Sequence, residues 1–244
     1  MLVLSIDIGI KNLAHCLLSV TDTVQILDWD VVDLVGVQPM CACGKPAFFY
    51  KDTLFFCKKH AVHIPALSGL NKSELCKLCT LHGIENKDKD KESIIKELSA
   101  KKLTAITRKC AKTCSAIDLG KELVNQYKRF GHIDVVVVEN QIGPIANRMK
   151  MLQGMVVQYW IMKNVNVVCV SSSNKLKLFH KESTTYAERK KLSIEYTRKL
   201  ISFNKWDTGF EKHKKKDDLA DTLLQAIWYL NSINAEYLKL IVLI

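Results

Sequence analysis

Residues 133–139, Ile-Asp-Val-Val-Val-Val-Glu, constrain the fold more than any other part of the chain. Four valines in succession leave no polar face, so a strand made from them has to be covered on both sides, as the inner strands of α/β sheets are. The run closes on an acid, Glu139. Leu2-Val-Leu-Ser-Ile-Asp7-Ile8 has the same character, apolar enough for a central strand with Asp7 at its end, and Val165-Asn-Val-Val-Cys-Val170 is a third strand of the buried type.

Around these, Leu13–Val20 and Val24–Val31 read as strands separated by a tight turn at Thr21-Asp22-Thr23, giving an antiparallel meander with the first strand. Helical periodicity covers Ala105–Phe130, through Ile106, Cys110, Cys114, Ile117, Leu119, Leu123 and Tyr127, and stops at Gly131. Further helices run from about Asn147 to Lys163 and from Asp217 or Asp218 to about Leu230. The order β-β-β-insertion-α-β-α-β-α-α predicts an α/β protein, a mixed sheet flanked by helices. The apolar tail Leu238–Ile244, interrupted by Lys239, reads as a last strand or a helix end.

A chain of 244 residues can bury one substantial core and a small insertion. Its 48% hydrophobic content excludes disorder, and no apolar stretch nears the ~20 residues of a membrane span. The net charge of +11 predicts attraction to polyanions, nucleic acid foremost. Residue 2 already begins a strand, leaving no room for a signal or transit peptide. An intracellular, reducing location is therefore expected, and the nine cysteines are expected as thiols or metal ligands rather than disulfides.

Acids recur where this order would bring them together: Asp7 and Glu139 at strand ends, then Asp217, Asp218 and Asp221 opening the last helix. Asp218 and Asp221, three apart, share a helical face. Carboxylates crowded in this way repel and need cations. Oxygen ligands suit Mg2+ or Mn2+, the usual apparatus of phosphodiester hydrolysis. Some of these acids also have an ordinary use, since Asp217 or Asp218 could cap the helix and Glu139 could end a strand for solubility.

Ser5-Ile-Asp7-Ile-Gly9-Ile-Lys11-Asn12-Leu-Ala14, Val138-Glu139-Asn140-Gln141 and Lys215-Lys-Asp-Asp218-Leu-Ala-Asp221, in that order, resemble the motifs of Holliday-junction resolvases. The resemblance is to the poxvirus-like and fungal mitochondrial enzymes, relatives of bacterial RuvC, and covers most of residues 1–37 and 105–231. It implies a ribonuclease-H-like fold and metal-dependent resolution of four-way DNA junctions. It also implies a tetrad of Asp7, Glu139, Asp218 and Asp221 on Mg2+, with Asp217 the alternative to Asp218. Lys175 is the best match to a family lysine near the scissile phosphate, although it also reads as a solvated loop lysine. The resemblance further implies a homodimer, one site for each of two symmetric scissile bonds, and a viral origin with action where viral DNA replicates. The helix Asn147–Lys163, rich in methionine and aromatic residues, is the candidate dimer helix or else a core helix. Actin-like and sugar-kinase-like ATPases share an Asp-x-Gly turn, but no second such turn occurs here. A flap or hybrid nuclease, or a non-catalytic junction-binding adaptor, are the alternative functions.

The nuclease core is expected over 1–38 and 101–244, interrupted by two insertions. In residues 39–66, Cys41-Ala-Cys43-Gly44 and Cys57-Lys-Lys-His60 suit a tetrahedral zinc site, with His63 as substitute ligand and Gly44 turning the chain toward sulfur. Residues 67–100 resemble a SAP-type helical DNA-binding motif. Such a motif would bury Leu75, Leu78, Cys79, Ile84, Ile94, Ile95 and Leu98 and present Lys72, Lys77, Lys87, Lys89 and Lys91 to phosphates. Cys76, Cys79 and His82 are a competing second metal site.

Overall fold

The computed structural model describes residues 1–36, 39–61, 64–65, 67–86, 89–106, 110–142 and 147–241. In chain order the strands are β1 (Leu2–Asp7), β2 (Leu13–Val20), β3 (Val24–Val32), β4 (Phe49–Lys51), β5 (Leu54–Phe56), β6 (Thr104–Ala105), β7 (Val135–Glu139) and β8 (Asn166–Val170). The helices are α1 (Lys72–Leu81), α2 (Lys91–Lys101), α3 (Ala116–Tyr127), α4 (Asn147–Met162), α5 (Tyr186–Asn204) and α6 (Lys216–Ile233). They form two compact units, Met1–Gly36 with Cys110–Ile244, and Val37–Lys109. Among the described residues, no helix is long and apolar enough to cross a membrane.

The larger unit is built on a five-stranded sheet of order β3-β2-β1-β7-β8. The first three strands pair antiparallel, while β7 pairs parallel with β1 and with β8. This is the mixed sheet that the order of elements predicts. The valine run of β7 explains itself by period two. Val135 and Val137 enter one core with Leu200 of α5 and Leu223, Leu224 and Ile227 of α6. Val136 and Val138 enter the other with Leu119, Leu123 and Tyr127 of α3 and Leu152, Val156 and Trp160 of α4. One helix pair thus covers each face.

Polar ties fix α6 on the sheet. The Trp29 indole N–H of β3 donates to Leu219 O at 3.0 Å and to Thr222 Oγ1 at 3.1 Å, and its ring stacks on Phe210 at 5.2 Å. Gln225, fully buried, donates from Nε2 to Ser5 Oγ at 3.1 Å and to the carbonyls of Ile6 and Val137 at 3.2 Å each. A single side chain therefore links α6 to both central strands.

Several boundaries differ from the sequence reading. Helix α3 starts at Ala116, not near 105, because the Ser115 hydroxyl caps it by accepting from Asp118 N. The upstream apolar residues at helical spacing belong elsewhere: Thr104–Ala105 are β6, and Cys114 N donates to Cys110 O in a separate turn. At the tail, Ala235–Leu240 form 3-10 turns rather than a strand, and residues 242–244 lie outside those described. The nineteen-residue α5 is the helix whose bounds the polar, lysine-bearing sequence left open.

In the smaller unit, β4 lies between β5 and β6. The pairing of β6 with β4, Tyr50 opposite Thr104, takes residues 101–106 into this unit. Helices α1 and α2 enclose Ile64, Leu75, Cys79, Ile94 and Leu98, with Leu78, Ile84 and Ile95 packed partly buried around them. Asn71 and Glu74 form a capping box on α1, and Asp90 caps α2.

All four tryptophans lie in the larger unit, so indole fluorescence reads its unfolding. Leu223→Ala, which empties a fully buried position on α6, is expected to lower unfolding free energy by about 2–5 kcal/mol in urea titrations. Ile117→Ala, at a 70% exposed position on α3, should stay within about 0.5 kcal/mol.

Candidate active site

Strand parity sets where the two strand-end acids point. Val3 and Val135 face α6, so Asp7 and Glu139, an even number of residues further on, face the same side. The pairing Ile6↔Val138 places the two acids side by side. Gly9 lets the chain fold back just after Asp7, since a Cβ there would collide with the Asn12 carbonyl. Helix α6 crosses this face. Lys215 is its N-cap residue and makes no side-chain cap bond, so Asp217 and Asp218 stand in the first turn and are not the cap.

Lys175 follows β8 after a 3-10 turn, Ser172–Asn174, whose cap is the Ser171 hydroxyl. It is 5% exposed, not a solvated loop lysine. Its Nζ lies 2.9 Å from Asp221 Oδ2, 3.2 Å from Glu139 Oε2 and 3.6 Å from Asp7 Oδ1. Burial drives the Asp7 carboxyl well above its ordinary range; Lys175 pulls it down, while Glu139 and Asp221 push it further up. Burial would raise Glu139 too, but a proton donated by Asp7 and the Lys175 charge bring it below the usual value. The Lys175 ammonium is penalised by burial, yet the three carboxylates hold it protonated above its normal range.

Asp218 and Asp217 diverge. Asp218 lines the same cavity as Asp7, Glu139 and Asp221, and pairs with Lys215 Nζ at 3.3 Å. Burial, then Asp217, raises its carboxyl. Asp217 is drawn aside to Lys190 of α5 at 2.6 Å and is not among the cavity-lining residues. The sequence carried no sign of the Lys190–Asp217 pair or of Gln225, because both depend on a partner brought close only by folding.

The cavity holds about 570 Å³ and extends from the carboxylates to the start of α5. Its donor set is hard oxygen, with a single buried ammonium set against three nearby carboxylates, and that chemistry fits a divalent cation.

In the smaller unit, Cys41, Cys43, Cys57 and His60 bring their ligand atoms within 4.8 Å of one another, the one such group of Cys, His, Asp and Glu among the described residues. Cys43 Sγ lies 3.8 Å from Cys57 Sγ, and Cys41 Sγ lies 3.4 Å from His60 Nδ1. A tetrahedral ion with bonds of about 2.3 Å to sulfur and 2.0–2.1 Å to nitrogen needs edges close to these. Amides of Cys43 and Cys57, then the His60 ring, lower the Cys41 thiol to about 6. Gly44, at φ +75°, makes the knuckle turn that lets its amide donate to Cys41 O. His63 lies outside the described residues. Cys76, Cys79 and His82 form no comparable group: Cys76 and Cys79 are part of α1, and Cys79 is buried in the α1–α2 core. Lys72, Lys77 and Lys91 are exposed, Lys89 is held by both oxygens of Glu97 at 2.7 and 2.8 Å, and Lys87 lies outside the described residues.

Residues 83–234, more than half the chain, match the family described as Poxvirus A22 protein. The chain belongs to that family. The matched span includes Glu139, Lys175 and the α6 acids, and begins after Asp7 and the cysteine cluster. No curated protein sequence matches the chain. Among solved structures, this Poxvirus A22 family member is similar to the yeast mitochondrial Holliday junction resolvase, with TM-score 0.47 and 17% identity over 97% of this chain and 81% of that one. The fowlpox virus resolvase, solved with substrate Holliday junction DNA, gives 0.45 and 15% over 94% and 99%. Thermus thermophilus RuvC gives 0.42 and 12% over 95% and 96%. Family membership rests on the sequence match.

Removing the ammonium strands three carboxylates. In magnesium-free buffer, Lys175→Met is expected to lower the stability of the larger unit by about 3–5 kcal/mol by urea titration, as breaking a buried ion cluster does. Lys177→Met, at an exposed position, should cost under about 0.5 kcal/mol. Equal losses would contradict the buried-cluster account.

Proposed function

We infer that this chain is a metal-dependent endonuclease that resolves four-way (Holliday) DNA junctions by paired phosphodiester hydrolysis. The observation that carries the reading is the gathering of acids from three distant chain segments around one buried lysine, in a member of the Poxvirus A22 protein family. A binding protein gains nothing from carboxylates turned toward phosphate.

Asp7, Glu139, Asp218 and Asp221 hold Mg2+ or Mn2+, which when bound supplies activation of water and stabilisation of the leaving oxygen. The chain's own contributions are positional. Strand parity and Gln225 aim the carboxylates, Asp217 is kept out of the site by Lys190, and Lys175 offers a fixed positive charge where negative charge grows on the phosphate. The +11 net charge draws in the polyanion.

Residues 39–66 form a zinc-bound element, with Cys41, Cys43, Cys57 and His60 as ligands. Residues 67–100 form a SAP-like helical pair whose exposed Lys72, Lys77 and Lys91 contact backbone phosphates. Lys89 acts mainly within the pair, through Glu97. A homodimer puts one site at each of two symmetric strands. Helix α4 is the candidate interface. Its large residues Leu152, Val156 and Trp160 are buried in the core, leaving Ile161 and Met162 at its end as the exposed apolar contribution. Action at the place where viral DNA is replicated is part of the same reading, supported by membership of a poxvirus protein family.

Cleavage of synthetic four-way junctions with Mg2+, beside linear duplex, flap and RNA–DNA hybrid controls, tests the reading. Wild-type protein should cut the junction at paired positions, and Asp7→Asn or Glu139→Gln should slow cutting by about a thousandfold or more while junction affinity changes little. Preferential cutting of flaps or hybrids would assign a different nuclease, and no cutting at all would leave an adaptor.

Metal analysis of protein purified without chelator should find about one zinc per chain. Cys57→Ser should lower that content and Cys76→Ser should not. Two zincs, one of them lost with Cys76, would overturn the ligand assignment.

A further inference from the structure

We propose that the α5 wall of the catalytic cavity is a subsite for an unstacked nucleobase beside the scissile phosphate, with Tyr186 as its stacking platform; this rests on the reading of the cavity as a DNA-cleaving site. The cavity is far larger than the carboxylate cluster requires. At about 570 Å³ it lies within the range, roughly 300–1,000 Å³, that takes drug-sized ligands, so a whole nucleotide fits where a phosphate group alone would leave most of the space empty.

Tyr186 is the most exposed aromatic ring among the described residues, at 67%, and it lines this cavity together with Asp7 and Glu139. An aromatic ring left in water next to reacting groups forgoes burial that its size would otherwise favour. Its backbone is anchored at the helix start. It is the first residue of α5, directly after a capping box in which Thr185 Oγ1 accepts from Glu188 N at 3.3 Å and Glu188 Oε2 accepts from Thr185 N at 2.7 Å.

Lys190 Nζ lies 5.1 Å from the centre of the ring and is itself held by Asp217 at 2.6 Å. A fixed cation therefore occupies one side, and the rest of the ring is open to the cavity. Stacking on such a ring tolerates any base, because every base has a π-face. Lys177, Lys181 and Arg189 line the same wall, against the single acid Glu182, and suit the phosphates that flank a displaced base. Ser172, Ser183 and Thr184 add hydroxyls that can bond to a base edge. Elsewhere in the duplex a base is paired and stacked, so a site of this kind favours DNA whose stacking is already broken, as it is near a junction's branch point.

The test uses the full-length protein and junctions carrying 2-aminopurine next to the cleavage position mapped with wild type. Wild type should quench the probe on binding, and Tyr186→Phe should do the same, since it keeps the ring. Tyr186→Leu keeps apolar bulk and is compatible with a helix, but has no ring. It should abolish the quench and lower single-turnover cleavage at sub-saturating protein by about five- to a hundredfold. Thermal unfolding should match wild type in both variants. Unchanged quench and rate in Tyr186→Leu, with wild type cutting junctions normally, would overturn the subsite and leave the nuclease reading intact. Loss in Tyr186→Phe as deep as in Tyr186→Leu would overturn it too, because the hydroxyl and not the ring would then matter. Wild-type protein that cuts no junction defeats the underlying reading instead.

Discussion

Three carboxylates held within 3.6 Å of one buried ammonium would separate if the chain allowed it. Their mutual repulsion is opposed by the framework and by Lys175 together. Asp7 and Glu139 are fixed by hydrogen-bonded strands that cannot slip by one residue without turning every valine of β7 to the wrong core. Asp218 and Asp221 are fixed by a helix whose buried face is apolar for most of its length. The site is thus a local concentration of like charge stabilised by apolar packing elsewhere, and the Asp7 carboxyl is raised first by burial and then by Glu139 and Asp221.

Helix α6 is the element on which this balance turns. Its contacts with the sheet are mostly non-directional, and apolar burial alone would tolerate small sliding along the strands. Directional bonds remove that freedom. Gln225 lies one turn beyond Asp221 and donates to Ile6 O, the carbonyl just before Asp7, and to Val137 O, two residues before Glu139. Trp29 performs the same service from β3, one turn nearer the acids. A buried amide nitrogen donating toward three acceptors on two strands sets a position that a leucine could not, and here it does so beside the acids, although its Oε1 has no partner of its own.

The smaller unit meets a different physical problem. Around the β4–β5 hairpin there is too little apolar surface for a core, and Leu54, Phe55 and Tyr50 remain largely outside. Cys41, Cys43, Cys57 and His60 gather there instead, with spacings that match the edge lengths of a tetrahedral ion. The α1–α2 pair, with five buried residues and capped helices, has a small core of its own.

Much of this was legible in the chain because it is written in short-range pattern. Unbroken apolar runs identified the central strands, and the acids that end them are sequence neighbours of those runs. The spacing of Cys41, Cys43, Cys57 and His60, which the fold brings together, was likewise local. The start of α3 was misplaced because apolar residues at helical spacing cannot reveal that Ser115 offers a better cap, or that Thr104–Ala105 has a strand partner more than fifty residues earlier. Helical spacing favoured Asp218 over Asp217 and left the choice open; in the fold Asp217 pairs with Lys190, 27 residues upstream, while Asp218 lines the cavity. The sequence alone determined which residues could be strands, helices and ligands, since those properties follow from side-chain chemistry and spacing along the backbone. Only the tertiary structure decided that Lys175 is buried among the acids, that Gln225 spans two strands and that Tyr186 faces their cavity, because each depends on distances set by the packing of α5 and α6.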